Sequence, residues 1–190
     1  MKNKKQIKIV LNSPVVLTYS AICIVALVLH YLTHQLSTTL VFSVYRSSLL
    51  DPLTYLRFFT HVCGHASWDH LVSNMLLILL LGPILEDRYG SRAILFLILI
   101  TALVTGIVSV IFFPRVMLLG ASGVVFAMIL LAASLNLRSH EIPLTLILVV
   151  ILYLGREILN GIFVEDNVAQ FAHIVGGIVG AVLGYLWRKK

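Results

Sequence analysis

The sequence predicts an all-α membrane protein, a bundle of six transmembrane helices with a membrane-associated first loop. Three observations carry that reading. The chain is 59% hydrophobic and only 12% charged, with a mean hydropathy of +1.01, whereas soluble domains carry roughly 25% charged residues. Apolar runs of roughly twenty residues recur along it, the length that crosses a hydrocarbon core about 30 Å thick. Basic residues flank those runs and favour one side.

Each span has its own boundary signals. Residues 1–14 form a basic N-terminus with Lys2, Lys4, Lys5 and Lys8, and residues 15–33 form the first span. That run is too long for a signal-peptide core and no small-x-small cleavage site follows it, so it reads as a retained helix. Residues 34–68 are too polar to span and too rich in aromatics and histidine to be an idle linker. The second span covers 69–89 and ends at Glu86-Asp87-Arg88; the third covers 93–113 and stops at Pro114-Arg115. A fourth begins near Gly120 and ends near Asn136, a fifth covers about 142–161, and a sixth about 167–187, before the basic tail 188–190. The membrane domain is therefore 15–187.

Charge placement orients the bundle. With the N-terminus in the cytoplasm, the cytoplasmic segments hold Lys2, Lys4, Lys5, Lys8, Arg88, Arg92, Arg138, Arg188, Lys189 and Lys190. The other side holds Arg46, Arg57, Arg115 and Arg156. An even number of spans returns the C-terminus to the same basic side. The clusters flank apolar spans, so they read as membrane anchors facing lipid headgroups and not as a nucleic-acid surface. Cys23 and Cys63, the two cysteines, make no disulfide framework and read as free thiols.

The fourth span is short. The turn Gly120-Ala121-Ser122-Gly123 places the helix start at Ser122. A helix from there to Asn136 spans about 22 Å at ~1.5 Å per residue. Anchored at its cytoplasmic end, it begins below the outer surface, where non-helical backbone needs a protein-lined pocket. Ser122 would then sit in that pocket, between small neighbours, with helix N-terminal N–H groups available to a developing oxyanion. The same turn also fits a simple N-cap serine.

His173 lies in the sixth span, and an imidazole in lipid marks function or a helix interface. Gly176, Gly180 and Gly184 follow it at four-residue spacing. Such a stripe packs helices backbone to backbone, so His173 would face a neighbour. His70 and Asn74, four apart, share a face of the second span and can donate hydrogen bonds to an oxyanion; a polar pair gluing two helices is the plainer alternative. His61, Cys63, His65 and His70 match no trusted metal-ligand spacing, and no H-E-x-x-H is present, so no metal or other cofactor is implied. His30, His34 and His140 read as ordinary interfacial residues. No acidic residue lies near the centre of a span, so a serine hydrolase here would use a Ser-His dyad.

Together these segments resemble the rhomboid family of intramembrane serine proteases. Arg57-Phe58-Phe59-Thr60-His61 resembles the family's W-R-x-F-T-H, with Leu56 in place of tryptophan. His65, His70 and Asn74 resemble its H-x4-H-x3-N; Gly82, Glu86 and Gly90 resemble its G-x3-E-x3-G. Gly120-Ala121-Ser122-Gly123 resembles G-x-S-G, and His173 with Gly176 and Gly180 resembles A-H-x-x-G-x3-G. The resemblance implies Ser122 as nucleophile and His173 as general base. It implies an oxyanion hole of His70, Asn74 and backbone N–H groups including that of Ser122. Arg57, Glu86, Gly120, Gly123, Phe126, Gly176 and Gly180 become its structural positions, with Phe126 where many members carry tyrosine. It implies single-span transmembrane proteins as substrates, cut near the membrane surface. The rival readings are a catalytically inactive rhomboid-like binding protein and a small transporter. Compactness suggests a prokaryotic plasma membrane. Substrate identity and oligomeric state are not written in the chain.

Overall fold

The computed structural model describes residues 11–135, the helical positions 144, 147–148 and 151–152, and residues 167–187. The helices are α1 (Pro14–Leu32), α2 (Leu36–Leu40), α3 (Pro52–Thr60), a 3-10 turn (His61–Cys63), α4 (Trp68–Tyr89), α5 (Ser91–Phe112), α6 (Ser122–Leu135) and α7 (Asn167–Leu186). Among the described residues the one extended pairing is an isolated antiparallel bridge between Val44 and Leu118. Helices α1, α4 and α5 are long and apolar enough to cross a membrane. Helix α6 has 14 residues and starts at Ser122, where the sequence puts it. The expected fifth span, 142–161, falls outside the described residues apart from those isolated positions.

The start of α1 shows how the bundle is tied. Ser13 makes no side-chain cap and Pro14 has no N–H to offer. The next two N–H groups, of Val15 and Val16, donate to the two oxygens of the Glu86 carboxylate, each at 3.0 Å. The Ser91 hydroxyl donates to the same carboxylate at 2.7 Å. Glu86 is buried, and the positive end of the α1 dipole offsets the cost of burying its charge. Gly82, one turn earlier on α4, lets α1 come close: a Cβ there would lie 2.7 Å from Val16 Cγ2.

The first loop is built around Arg57, which is 2% exposed. Its guanidinium donates to the Leu40 carbonyl, the Tyr45 hydroxyl, Ser47, Asp51 and Thr54 and lies over the Tyr45 ring at 4.6 Å. Asp51 also caps α3 by accepting from the Leu53 N–H. A charge this deep is stable only because its donors are so widely paired. Leu49, Leu50, Tyr55, Leu56 and Phe59 stay exposed on the outside of this loop. The His61 ring connects the loop to α5, sitting 3.1 Å from the Arg57 carbonyl and 3.3 Å from the Thr105 hydroxyl.

His30 differs from its interfacial reading. It is buried and bonded through Nδ1 to the Thr38 hydroxyl at 2.8 Å. The short helix α2 folds back over the end of α1 and covers it, which hydropathy along the chain does not reveal.

Helices α6 and α7 pack backbone to backbone. A Cβ on Gly176 would lie 2.1 Å from the Gly123 carbonyl oxygen, and one on Gly180 would lie 2.1 Å from that of Ala127. A Cβ on Gly184 would lie 2.3 Å from the Ser134 hydroxyl oxygen. The small-residue stripe is thus a contact seam, and α6 is its partner.

Candidate active site

The segment before Ser122 is held at two points. Val44 and Leu118 exchange N–H···O bonds of 2.8 and 2.9 Å, and the Gly120 N–H donates to the His61 carbonyl at 3.0 Å. The first loop therefore fixes the turn from which α6 starts. Gly120 has φ +125°, a conformation that L side chains rarely adopt. A Cβ there would also lie 2.8 Å from His70 Cε1 and 2.9 Å from Nε2. The Ser122 Oγ lies 4.0 Å from the same point. Glycine thus lets the His70 imidazole press against the turn that carries Ser122.

His70 is held by α4. The Ser67 hydroxyl caps that helix by accepting from the His70 N–H at 3.1 Å. Asn74, buried one turn later, donates from Nδ2 to the His70 carbonyl at 3.0 Å. The His65 ring stands edge-on to that of His70, with centroids 4.9 Å apart, and its Nδ1 lies 3.1 Å from the Cys63 carbonyl. Burial first, and then the neighbouring His70, push the His65 imidazole down to about 3, so it is neutral at ordinary pH. Burial likewise lowers His61 to about 4.

His173 is buried on α7, facing α6. Its ring stacks on Phe126, with centroids 4.5 Å apart and planes 12° from parallel. Gly123 meets the Ala172 carbonyl at Cβ level, 3.5 Å away. The helix seam that begins at Gly123 and Gly176 thus carries Ser122 at its upper edge on one side and His173 on the other.

The expected residues fall into three places. Gly120, Ser122, Gly123 and the His70 ring lie at the start of α6, Gly176 meets Gly123, and His173 stacks on Phe126 one turn in; Gly180 faces Ala127 further along, and Asn74 lies one turn beyond His70 on α4. Glu86 lies about 24 Å along α4 from His70, at ~1.5 Å per residue, and Arg57 sits inside the first loop. Those two shape the scaffold and not the site. The sequence did not reveal Tyr45, Thr105 or the Val44–Leu118 bridge as supports, because each acts through a partner more than ten residues away.

Comparison with known proteins adds to this geometry. The family described as "Rhomboid domain" matches residues 52–190. Rhomboid-related protein 2 of Mus musculus is 32% identical over 158 residues, covering 72% of this chain and 52% of that protein. Rhomboid-related protein 1 of Caenorhabditis elegans is 30% identical over 139 residues, covering 68% of this chain and 39% of that protein. Rhomboid protease GlpG of Salmonella choleraesuis (strain SC-B67) is 30% identical over 173 residues, covering 87% of this chain and 61% of that protein. The chain spans about half the length of the relatives it matches.

Proposed function

The chain belongs to the rhomboid family and is an integral membrane protein, and from that premise we propose that it is an intramembrane serine endopeptidase acting by a Ser-His dyad. Its substrates are single-span transmembrane proteins, cut near the membrane surface. In this reading the Ser122 hydroxyl attacks the scissile carbonyl while His173 takes its proton. Negative charge then develops on the carbonyl oxygen and is met by His70, Asn74 and the Ser122 N–H. Collapse of the tetrahedral species expels the amine, to which His173 returns the proton. Water repeats the cycle on the acyl-enzyme and frees Ser122.

The observation that carries this reading is the α6–α7 seam. Contact of the Gly123 and Gly176 backbones with the Phe126–His173 stack holds an imidazole beside the N-terminus of the helix that begins with serine. The His70 ring against Gly120 supports an oxyanion role on the opposite side of the same turn. The exposed apolar residues of the first loop support its lying in the membrane surface.

We place six spans in this bundle, with both termini in the cytoplasm and a prokaryotic plasma membrane as its home. The Lys and Arg distribution supports that orientation.

The test is cleavage of a transmembrane reporter in liposomes, together with covalent capture by a fluorophosphonate. The wild type should cleave and label at Ser122, and Ser122→Ala should do neither. Undiminished cleavage by Ser122→Ala, or labelling of another serine, would overturn the mechanism. A wild type that is folded but inert to both assays would favour a binding protein.

A further inference from the structure

The two cysteines lie forty positions apart in sequence, one on a spanning helix and one in the first loop, yet both are buried in the same core cluster. The Tyr19 hydroxyl donates to the Val62 carbonyl at 2.8 Å and sets the register of α1 against the His61–Cys63 turn. Cys23 is one helical turn beyond Tyr19 on the same face of α1. Cys63 follows Val62 directly. Both thiols are free and buried in one core cluster, and α1 packs directly against the turn that carries Cys63. Cys23 is fully enclosed, whereas Cys63 is 8% exposed. Cys63 lines an apolar cavity of about 370 Å³ bounded by α1, α3 and α5, with Tyr19, Ile22, Phe59 and Ile98 among its walls. An uncharged reagent dissolved in the bilayer can therefore reach one sulfur first.

We propose that Cys23 and Cys63 form a modification site, a dithiol that a lipophilic disulfide oxidises to an intramolecular disulfide joining α1 to the first loop. The Cys63 thiolate attacks one sulfur of the reagent R–S–S–R, forming a mixed disulfide and releasing one RS⁻. The Cys23 sulfur, on the turn of α1 packed beside Cys63, then attacks Cys63 Sγ and expels the second RS⁻. The two thiol protons leave with the two RSH. The protein dithiol is oxidised by two electrons and the reagent is reduced by two, so the step balances. Proximity makes the second attack intramolecular, which favours ring closure over retention of the adduct. The bond would pin the turn whose His61 carbonyl holds Gly120, two residues before Ser122. Oxidation would thereby fix the first loop to the scaffold, whatever reaction the site performs.

The experiment treats the reduced full chain in detergent with 2,2′-dithiodipyridine and follows thiopyridone release, intact mass and tryptic peptides. The wild type should release two thiopyridones, lose only two hydrogens in mass, and yield one peptide pair linking Cys23 to Cys63. Cys23→Ser should release one thiopyridone and keep one pyridylthio group on Cys63. Cys63→Ser should react at least about 10-fold more slowly, because the enclosed Cys23 has lost its accessible neighbour. Wild-type protein that retains pyridylthio adducts, or that crosslinks only between chains, would overturn the proposal. Because the wild type itself carries the decisive readout, poor folding of a variant does not protect the idea.

Discussion

Phe126 and His173 stack across two helices, with ring centroids 4.5 Å apart and planes only 12° from parallel. The contact joins a residue one turn into α6 to one in the body of α7. It restrains the imidazole against rotation about its side-chain torsions. Phe126 offers no hydroxyl, so it can orient His173 only through its face.

Loss of this stack is therefore expected to slow turnover without changing the nucleophile. A stacked aromatic pair contributes about 0.5–1.5 kcal/mol beyond its buried area. Phe126→Leu should lower kcat about 2- to 10-fold, and Phe126→Tyr should retain near wild-type kcat. Reporter cleavage rates at saturating substrate check this. Equal loss in both variants would argue that ring stacking is not what orients His173.

The proposed dyad should behave as a unit. Ser122→Ala and His173→Ala are expected to fold and to be inactive, with the double variant little worse than either single. Ser122→Ala should change thermal stability in detergent little, whereas His173→Ala also loses the buried stack on Phe126, worth about 0.5–1.5 kcal/mol. Multiplicative losses in the double variant would show that the two residues act independently.

Two donors are expected to share the oxyanion. His70→Ala and Asn74→Ala should each lower kcat, by about 2.7–4 kcal/mol of transition-state stabilisation when the donor is fully engaged, or roughly 10²- to 10³-fold. Asn74→Ala also removes the bond to the His70 carbonyl, so its effect should include some loss of His70 alignment. Unchanged kcat in both variants would remove them from the mechanism.

Glu86 is expected to matter for stability and not for chemistry. Glu86→Ala leaves the Val15 and Val16 N–H groups without their acceptor. Leaving a buried donor unsatisfied costs about 1–3 kcal/mol, so the total is on the order of 3 kcal/mol. Glu86→Gln keeps one acceptor oxygen but turns an NH2 toward the second N–H and loses the charge facing the α1 dipole, so it should cost about 2 kcal/mol. Thermal unfolding in detergent measures both. An unchanged Tm in Glu86→Ala would mean that α1 does not need this cap.

His61 and His65 give stability a pH dependence. Burial lowers them to about 4 and about 3, below the ordinary value of 6.5. Between those limits the unfolded chain binds protons that the folded chain does not, so stability falls as pH falls. The loss should begin near pH 6.5, continue to about 4 for His61 and extend to about 3 for His65. Above pH 7 the two residues should contribute no slope. Tm measured from pH 8 to pH 4 in wild type and His61→Gln checks this, and an identical slope in the two proteins would acquit His61.

The sequence by itself determined where the long apolar helices form, because hydropathy, proline and glycine signals act on neighbouring residues, but not the short helices α2 and α3 of the first loop. Helices α1, α4 and α5, the start of α6 at Ser122 and helix α7 all lie within two residues of the bounds expected. The small-residue stripe after His173 also announced a helix seam, since backbone approach needs hydrogens in place of side chains. Which helix fills that seam was a tertiary decision, and α6 supplies it through Gly123 and Ala127. Tertiary structure alone also brought Glu86 to the N-terminus of α1, His61 to both Thr105 and Gly120, and Cys23 to Cys63. These pairings join residues far apart in the chain, so no local pattern encodes them. They are selected by packing: Glu86 and His61 settle where another element offers the partner that lipid and their own helix cannot.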